Sequence, residues 1–322
     1  MVEKTIISKK ISLTANSIIR VLLYSDIFHY PLTVDEIYQR CEIAKATKEE
    51  IKEELDKLVK SKLVYTAYDF YCLRDNPEMI IKRENGNTLA KKFLKKAVFF
   101  SGIIASFPFV RCVMISGSLS KDFIDEDGDI DYFIITEPKR VWLVKAMLLF
   151  FKMVFLFDSH KYFCINYLLD YRHLEVDPKN PYTALEVNTL IPTYGKDIYL
   201  DFINKNNWTK IFYPHFYPKS LQKIKPAKSY YFKYFFEKLL DNRLGEWIDT
   251  QLMKGFSKNW YRRYRPLFPN EEEYNKAVEA ERHVCRAHPK GYHRSILDSW
   301  EERIKSFEAK HQLSLVIENE IS

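Results

Sequence analysis

The segment VMISGSLSKDFIDEDGDIDYFIIT, residues 113–136, constrains the fold of this chain more than any other part of the sequence. Its two ends, VMIS and DYFIIT, are rich in β-branched and aromatic residues, so we predict a strand at each end. The second strand begins with Asp129 and Asp131, which are separated by Ile130 alone. Because side chains alternate between the two faces of a strand, both carboxylates are expected on one face and Ile130 on the other.

The acidic residues of this segment allow three interpretations. An exposed acidic loop accounts for residues 122–127. A calcium-binding loop that begins at Asp125 is excluded, because Ile130 stands where that loop needs glycine and Thr136 where it needs glutamate. In the third interpretation the two strand carboxylates, about 7 Å apart along the strand, share a hard divalent cation such as Mg²⁺, which relieves their mutual repulsion.

The turn after the first strand has the residue types expected of a phosphate site. Gly117 lets the backbone approach a ligand closely, and a helical turn after it would direct N–H groups and the Ser118 hydroxyl toward a phosphate. The full pattern is a hydrophobic strand, Gly117-Ser118, ten residues, and then Asp129-Ile130-Asp131 at the head of a second strand. This pattern resembles the motif of the nucleotidyltransferase superfamily, which includes polymerase-β-like enzymes, kanamycin nucleotidyltransferase and the minimal nucleotidyltransferases.

The resemblance implies a role for each matched residue. It implies that Asp129 and Asp131 are the catalytic carboxylates and hold Mg²⁺, with Mn²⁺ as the alternative cation. It also implies that Gly117 and Ser118 hold the β- and γ-phosphates of an NTP, for which ATP is the expected nucleotide. Lys121, just past the turn, either adds a phosphate contact or is an exposed loop lysine, and both interpretations remain open.

The chain departs from the family pattern at the third carboxylate. The family has this group on the next strand, here KYFCINYLL, whose central polar residue is Asn166. An amide oxygen can ligate Mg²⁺ but cannot accept a proton. Asp170, at the end of the strand, and Glu175 beyond it are candidate substitutes. Nucleotide binding is therefore better supported by the sequence than turnover.

Residues 14–75 have the pattern of three helices followed by a strand pair. Thr33 with Glu36, and Thr47 with Glu50, predict capping boxes at the start of the second and third helices. VYTAY and FYCLR then predict a β-hairpin. This order resembles a winged helix-turn-helix domain. The third helix mixes acids and bases almost evenly, so nucleic-acid binding and a role in protein docking or dimerisation both remain open.

We predict an α+β chain with three regions. These are an N-terminal winged-helix-like domain at residues 1–78, a central nucleotidyltransferase α/β sheet domain at 79–190, and a mostly helical C-terminal region at 191–322. The alternation of strands and helices from residue 111 onward predicts the sheet layer of the central domain.

The sequence also indicates the cellular compartment in which the protein is expected. The five cysteines are scattered without metal-ligand spacing, and MVEKTIISKKIS lacks the features of a secretory signal, so a cytoplasmic protein with reduced thiols is expected. The apolar run VWLVKAMLLFFKMVFLF, residues 141–157, is short for a membrane span and contains Lys145 and Lys152. We therefore predict an amphipathic helix with a solvent-facing lysine stripe, and no membrane partner.

The stretch from Lys205 to Arg265 is strongly basic, with fourteen Lys or Arg residues against four acids. Aromatic residues are interleaved with these cations, a combination that single-stranded RNA platforms use for stacking and phosphate contact. The alternative is that YYFKYFFEKLLDNRLGEW forms an amphipathic helix with aromatics inside and lysines outside. The aromatic residues are Trp208, Phe212, Tyr213, Phe216, Tyr217, Tyr230, Tyr231, Trp260, Tyr261 and Tyr264.

Three functional hypotheses follow. The first is a Mg²⁺-dependent nucleotidyltransferase that transfers NMP from an NTP to the hydroxyl of an unidentified acceptor, which could be a protein, a small molecule or RNA. The second is a catalytically degenerate, nucleotide-binding regulator that carries a winged-helix module. The third is an RNA-binding or RNA-modifying protein, which rests on the basic C-terminal region alone.

Overall fold

The computed structural model describes residues 11–158, 161–217, 224–226, 230–287 and 292–315. Over these residues the chain is α+β, with eleven α-helices, a mixed sheet of six strands and a separate two-stranded hairpin. The helices are α1 (Leu13–Asp26), α2 (Val34–Gln39), α3 (Lys48–Lys60), α4 (Pro77–Ala105), α5 (Val141–Phe155), α6 (Pro181–Thr189), α7 (Lys196–Lys205), α8 (Tyr231–Leu240), α9 (Arg243–Tyr264), α10 (Glu271–Ala277) and α11 (Tyr292–His311). The strands are β1 (Tyr65–Ala67), β2 (Phe70–Cys72), β3 (Val110–Ser116), β4 (Asp131–Thr136), β5 (Cys164–Asp170), β6 (Ile191–Tyr194), β7 (Val278–Ala280) and β8 (Val284–Ala287).

The N-terminal helices begin where the sequence has capping residues. Thr33 and Thr47 cap α2 and α3, and each hydroxyl accepts a hydrogen bond from the backbone N–H three residues later. The glutamates at those positions, Glu36 and Glu50, bond back to the backbone N–H of the capping residue, so both predicted capping boxes are confirmed. β1 and β2 then pair antiparallel, which confirms the predicted hairpin.

The last described helix, α11, packs against the first one, α1. Trp300 of α11 packs edge-on against Tyr24 of α1, with ring centroids 5.5 Å apart. The indole Nε1 of Trp300 donates to the backbone carbonyl of Arg20 at 2.9 Å. Both helices contribute to one hydrophobic cluster. Residues from beyond position 191 therefore complete the core of the N-terminal unit, which consists of α1–α3 and the β1–β2 hairpin.

The central sheet has the strand order β6-β3-β4-β5-β8-β7. β4 and β5 are parallel and are connected through α5, as parallel neighbours require, whereas the other neighbouring pairs are antiparallel. The strand, helix, strand order predicted for this part of the chain is confirmed. Three strands lie beyond residue 190, in the region predicted to be mostly helical, because runs of three or four residues are too short to give a clear alternating pattern.

Helices cover both faces of the sheet. Along β3, Val113 and Ile115 belong to a hydrophobic cluster that also contains Val144 of α5. Met114, between them, belongs to a second cluster with Phe202 of α7. Because both faces are buried, the central strands are continuous apolar runs in the sequence rather than alternating ones.

The predicted solvent-facing lysine stripe of α5 is wrong, because its lysines are buried and some of its aromatic residues are exposed. Lys145 and Lys152 are buried and form no solvent-facing stripe, whereas Phe150 and Phe155 are 62 % and 63 % exposed. The ammonium group of Lys145 donates to the backbone carbonyl of Ile165 on β5 at 3.0 Å, so the lysine faces inward because it supplies a donor to a buried acceptor. Among the described helices, none combines the length and the apolar character needed to cross a membrane.

The helix predicted for YYFKYFFEKLLDNRLGEW is two helices, α8 and the start of α9, and the arrangement of aromatics inside and lysines outside is wrong. Lys233 is buried, whereas Phe232 and Phe235 are exposed. The ammonium group of Lys233 donates to the carbonyls of Ala105 and Val110, at 3.1 and 2.7 Å. These carbonyls lie at the end of α4 and the start of β3, where a buried acceptor needs a donor from elsewhere in the chain.

Candidate functional site

The turn that follows β3 is shaped by the residue that begins β4. Gly117 has a φ of +69°, a conformation that L side chains rarely adopt. A Cβ at this position would lie only 2.3 Å from the Oδ2 atom of Asp131. Glycine at position 117 therefore leaves the space that the Asp131 carboxylate occupies, and the chain continues into a short 3₁₀ turn, Ser118–Lys121.

The two carboxylates predicted to share one face lie together. Ile130, between them, is fully buried in the hydrophobic cluster under α4 and α5. Asp131 is paired with Ser116 on β3 and with Cys164 on β5. Of the side chains that the structure describes, Asp129, Asp131 and Cys164 alone bring three possible metal-ligand atoms within 4.8 Å of one another.

Burial and mutual repulsion dominate the electrostatics of this cluster. Burial, reinforced by the charge of Asp129, raises the pKa of Asp131 to about 7. A hydrogen bond from the Cys164 thiol and the positive charge of Lys121 act in the opposite direction. Burial and the two neighbouring carboxylates also raise the pKa of Cys164 well above its ordinary value. Without a cation, the site therefore favours protonated groups.

The cluster opens onto a cavity of about 740 Å³ between the N-terminal unit and the sheet. This volume is in the range of small-molecule and nucleotide sites. One wall comes from the N-terminal helices and the loops that follow them, and the other comes from the Gly117 turn, the heads of β4 and β5, and α6. The lining residues are Tyr24, Ser25, Phe28, Tyr30, Arg40, Gly117, Ser118, Lys121, Phe123, Asp125, Asp129, Asp131, Cys164, Asn166, Tyr182, Leu185, Glu186, Ala287 and Ile296.

Ser118 and Lys121, the other two candidate residues of the turn, differ in their surroundings. Ser118 is exposed and lines the cavity. Lys121 is mostly buried, and its ammonium group donates to the Gly117 carbonyl at 3.1 Å and to the Glu186 carboxylate at 2.9 Å. Of the two interpretations left open for Lys121, the exposed loop lysine is therefore wrong, because the side chain is bonded across the cavity wall.

Of the three candidates for a third oxygen ligand, Asn166 lines the cavity, whereas Asp170 and Glu175 do not, and Glu175 forms an ion pair with Lys179. Asn166 lines the cavity, two residues after Cys164, at the point where the pairing of β4 and β5 shifts by one residue. Asp170 lies at the opposite end of β5, paired with Thr136, and its carboxylate accepts hydrogen bonds from the backbone of the following turn and contacts His173. Asp170 is therefore not part of the cluster, and its inclusion among the candidate ligands is wrong.

Arg40 is a cavity residue that the sequence did not suggest. It lies at the end of α2, is buried, and donates to the hydroxyl of Ser25 at 3.3 Å. Glu36, one turn earlier, is bonded instead to Arg83, at 2.7 Å, and to Thr33. Among the described residues, no carboxylate forms an ion pair with the Arg40 guanidinium, which lines the cavity together with the acidic cluster.

Cys164 and Glu186 are the other cavity residues missed by the sequence reasoning. Cys164 had only a partial signal, because it begins a strand that pairs with the strand of Asp131, but the sequence does not give the register that brings the two residues together. Glu186 had no signal, because it lies on α6, which reaches the cavity only through the tertiary fold.

Of the two surfaces considered for nucleic acid, α3 has much of its positive charge paired with acids. On α3, the ammonium groups of Lys48, Lys52 and Lys57 each pair with an acid. In the C-terminal region, Tyr213 and Phe216 are buried in the N-terminal core, and other parts of this stretch lie outside the described residues. The remaining exposed aromatics of the predicted set are Tyr217, Tyr230, Tyr231 and Tyr261.

No protein-family model matches the chain, and neither a curated protein nor a solved structure matches it. The chemistry of the site is therefore inferred from its own residues.

Proposed function

We propose that the chain is a divalent-cation-dependent nucleotidyltransferase that transfers NMP from an NTP to an acceptor hydroxyl. The observation that carries the proposal is the meeting of the Gly117 turn with Asp129 and Asp131 at the floor of a nucleotide-sized cavity. An anionic ligand and two carboxylates can share one site only through a cation.

The residues present fit a hard divalent cation in part. Asp129 and Asp131 offer the carboxylate oxygens that Mg²⁺ and Mn²⁺ prefer, and Asn166 offers an amide oxygen in the same cavity. The thiol of Cys164 is a poor ligand for Mg²⁺. When bound, the cation would neutralise charge on the phosphates and on the attacking and leaving oxygens.

The chain's own groups would bind and orient the nucleotide. Gly117, Ser118 and Lys121 of the turn line the cavity, where the Ser118 hydroxyl and backbone N–H groups would donate to the β- and γ-phosphates. Arg40, buried and without an ion pair among the described residues, can hold a phosphate from the opposite wall.

The proposed reaction is an in-line displacement at the α-phosphorus. The acceptor hydroxyl loses its proton to water, its oxygen forms a bond to the α-phosphorus, the bond from that phosphorus to the bridging oxygen breaks, and pyrophosphate leaves with the electron pair. The acceptor can be a protein, a small molecule or RNA.

We also infer that residues 11–75 form a winged-helix-like domain. Three helices precede the hairpin, and Leu32 bridges Tyr71 of β2 as a short third strand, which supports this inference. Five of its residues, Tyr24, Ser25, Phe28, Tyr30 and Arg40, line the cavity. This supports a role for the domain as a wall of the nucleotide site rather than as a nucleic-acid reader.

A catalytically degenerate, nucleotide-binding regulator is the second candidate function. The observation that favours it is the pair of side chains on β5 nearest Asp131, a thiol and an amide, where the nucleotidyltransferase motif calls for a third carboxylate. Neither group replaces a carboxylate as a proton acceptor at neutral pH.

Calorimetric titration of each NTP with Mg²⁺ tests the proposal. We expect metal-dependent binding, lost in an Asp129→Asn/Asp131→Asn variant and kept in Asp127→Asn, a matched change at an exposed acid of the same loop. No binding by any NTP, or equal binding by all three proteins, would contradict the proposal. Pyrophosphate release in the presence of protein, RNA and small-molecule fractions then separates the enzyme, which releases it, from the regulator, which does not.

A further inference from the structure

Among the described His, Cys, Asp and Glu side chains, Cys164 is the one that joins the two carboxylates in a group of three possible metal ligands. It begins β5 and is paired with Asp131, the first residue of the parallel strand β4. Its sulfur lies within 4.8 Å of a carboxylate oxygen of both Asp129 and Asp131. The sulfur therefore already lies where a cation shared by the carboxylates would meet it.

The backbone holds this cluster in place. β3 and β5 flank the first residue of β4, so Asp131 is fixed from both sides. Gly117 adds a third constraint, because the Asp131 carboxylate fills the space that any side chain at position 117 would need. Asp129 and Cys164 both flank Ile130, whose carbonyl accepts the backbone N–H of Cys164 at 3.0 Å.

We propose that Asp129, Asp131 and Cys164 form a binding site for a borderline-soft divalent cation of the Zn²⁺ and Co²⁺ class, with the Cys164 sulfur as a ligand. Zn²⁺ accepts mixed carboxylate and thiolate ligands, whereas Mg²⁺ strongly prefers oxygen. The inference rests on the proposed function for the presence of a cation at this site, and it replaces the third carboxylate of the nucleotidyltransferase motif with a thiolate.

Relative affinity alone does not test the inference, because almost any site with nitrogen, oxygen or sulfur ligands binds Zn²⁺ more tightly than Mg²⁺. The test must detect the sulfur itself. Co²⁺ bound to a thiolate gives an intense near-ultraviolet charge-transfer absorption, which oxygen ligands do not give. Titration of the full-length protein with Co²⁺, without nucleotide, is therefore the primary experiment.

We expect the absorption band in the wild-type protein and in Cys72→Ser, and its loss in Cys164→Ser. Cys72 is a matched control, because it is a buried cysteine in the hairpin whose sulfur donates to backbone carbonyls, as a serine hydroxyl can. Absence of the band in the wild-type protein, or its persistence in Cys164→Ser, would overturn the inference.

Competition with a chromophoric chelator gives the second readout. Since residues that merely support a metal ligand are worth about 10–100-fold in affinity, loss of the ligand itself in Cys164→Ser should weaken Zn²⁺ binding by at least about tenfold. Binding of Mg²⁺ should stay within about twofold of the wild type, because oxygen supplies its ligands. Equal loss for both cations would indicate damage to the site rather than loss of a sulfur ligand, and would overturn the inference.

The variant Cys164→Asp keeps the test decisive if serine perturbs the fold. It supplies the third carboxylate, so we expect tighter Mg²⁺ binding and no thiolate band. These outcomes are separate from those of the proposed function. A thiolate band without any NTP binding would contradict the nucleotidyltransferase and support the soft-metal site. NTP binding without the band would support the nucleotidyltransferase and contradict the soft-metal site.

Discussion

Gly117 and Asp131 lie so close together that a single added carbon atom at position 117 would fall 2.3 Å from the carboxylate oxygen of Asp131. Gly117 begins the turn that lines the cavity, and Asp131 begins β4, two residues after Asp129. The conformation of the turn and the direction of the carboxylate are therefore coupled, and neither can change alone.

Gly117→Ala is expected to damage both the site and the fold. The added Cβ would displace the Asp131 carboxylate, and a φ of +69° is unfavourable for alanine. We expect a loss of about 1–3 kcal/mol in the free energy of unfolding, together with loss of cation-dependent NTP binding. Denaturant unfolding and calorimetric titration measure the two effects.

Gly255→Ala is the control for this change. Gly255 lies within α9, and a Cβ there would meet no atom within 4 Å. Because alanine favours a helix more than glycine does, this variant should be neutral or more stable by about 0.5–1 kcal/mol, with unchanged binding. If Gly117→Ala bound nucleotide and cation as the wild type does, the coupling between the turn and Asp131 would be of no functional consequence.

Asp131→Asn is expected to stabilise the metal-free protein at neutral and higher pH. The pKa of Asp131 is raised to about 7 in the fold, from an ordinary value of 3.8, chiefly by burial. Between these values the folded protein binds more protons than the unfolded chain, so stability falls as pH rises and is lowest above pH 7. An asparagine avoids this cost, and the gain should reach about 2–4 kcal/mol at pH 8.

The measurement is denaturant unfolding of the wild type and Asp131→Asn in chelator, from pH 4 to pH 8. The difference in free energy of unfolding should shrink toward pH 4, where the folded carboxyl is protonated and the unfolded one, with an ordinary pKa of 3.8, is about half protonated. The exposed Asp127→Asn should give a difference that does not vary with pH. A pH-independent difference for Asp131→Asn would show that burial does not perturb this carboxyl.

The acidic pair could be predicted from sequence because its geometry is local. Alternation in extended backbone predicts Asp129 and Asp131 on one side and Ile130 in the core, and the structure places them so, although β4 itself begins only at Asp131. Cys164 could not be chosen over Asn166 in the same way. Which residue of β5 meets Asp131 depends on the register of two strands separated by a whole helix, and that register shifts beside Asn166.

The inward lysines show a second limit of sequence periodicity. Hydrophobic periodicity assumes that a lysine on a helix faces water, but Lys145 and Lys233 each donate to backbone carbonyls in other elements. Those acceptors are created by the tertiary fold, at β5 and at the junction of α4 and β3. Once the lysines face inward, the aromatic residues on the opposite side of each helix are left exposed, as Phe150 and Phe232 are.

Arg40→Gln is expected to weaken NTP binding by about tenfold to a hundredfold, the range that corresponds to one hydrogen bond to a charged group. The guanidinium lines the cavity without an ion pair among the described residues, so its proposed partner is a phosphate. Adenosine, which lacks phosphates, should bind wild type and variant equally in the same titration. Equal loss for ATP and adenosine would indicate a structural role for Arg40 instead.

Lys233 is expected to make stability rise with pH in the alkaline range. Burial is the main cause that lowers its pKa to about 8, from 10.5. Between these values the unfolded chain binds more protons than the folded protein, so the contribution of Lys233 is complete above 10.5 and is lost as pH falls through 8. Relative to Lys233→Met, the wild type should therefore gain up to about 3 kcal/mol in free energy of unfolding between pH 7.5 and pH 10.5.

The comparison must be made as a change with pH, because Lys233→Met also removes donors from the carbonyls of Ala105 and Val110 at every pH. Lys238→Met is the matched control, since Lys238 is an exposed lysine on the same helix. It should give a difference that is flat over this range. A flat difference for Lys233→Met as well would mean that its ammonium group stays charged in the fold, held by the two carbonyls strongly enough to offset its burial.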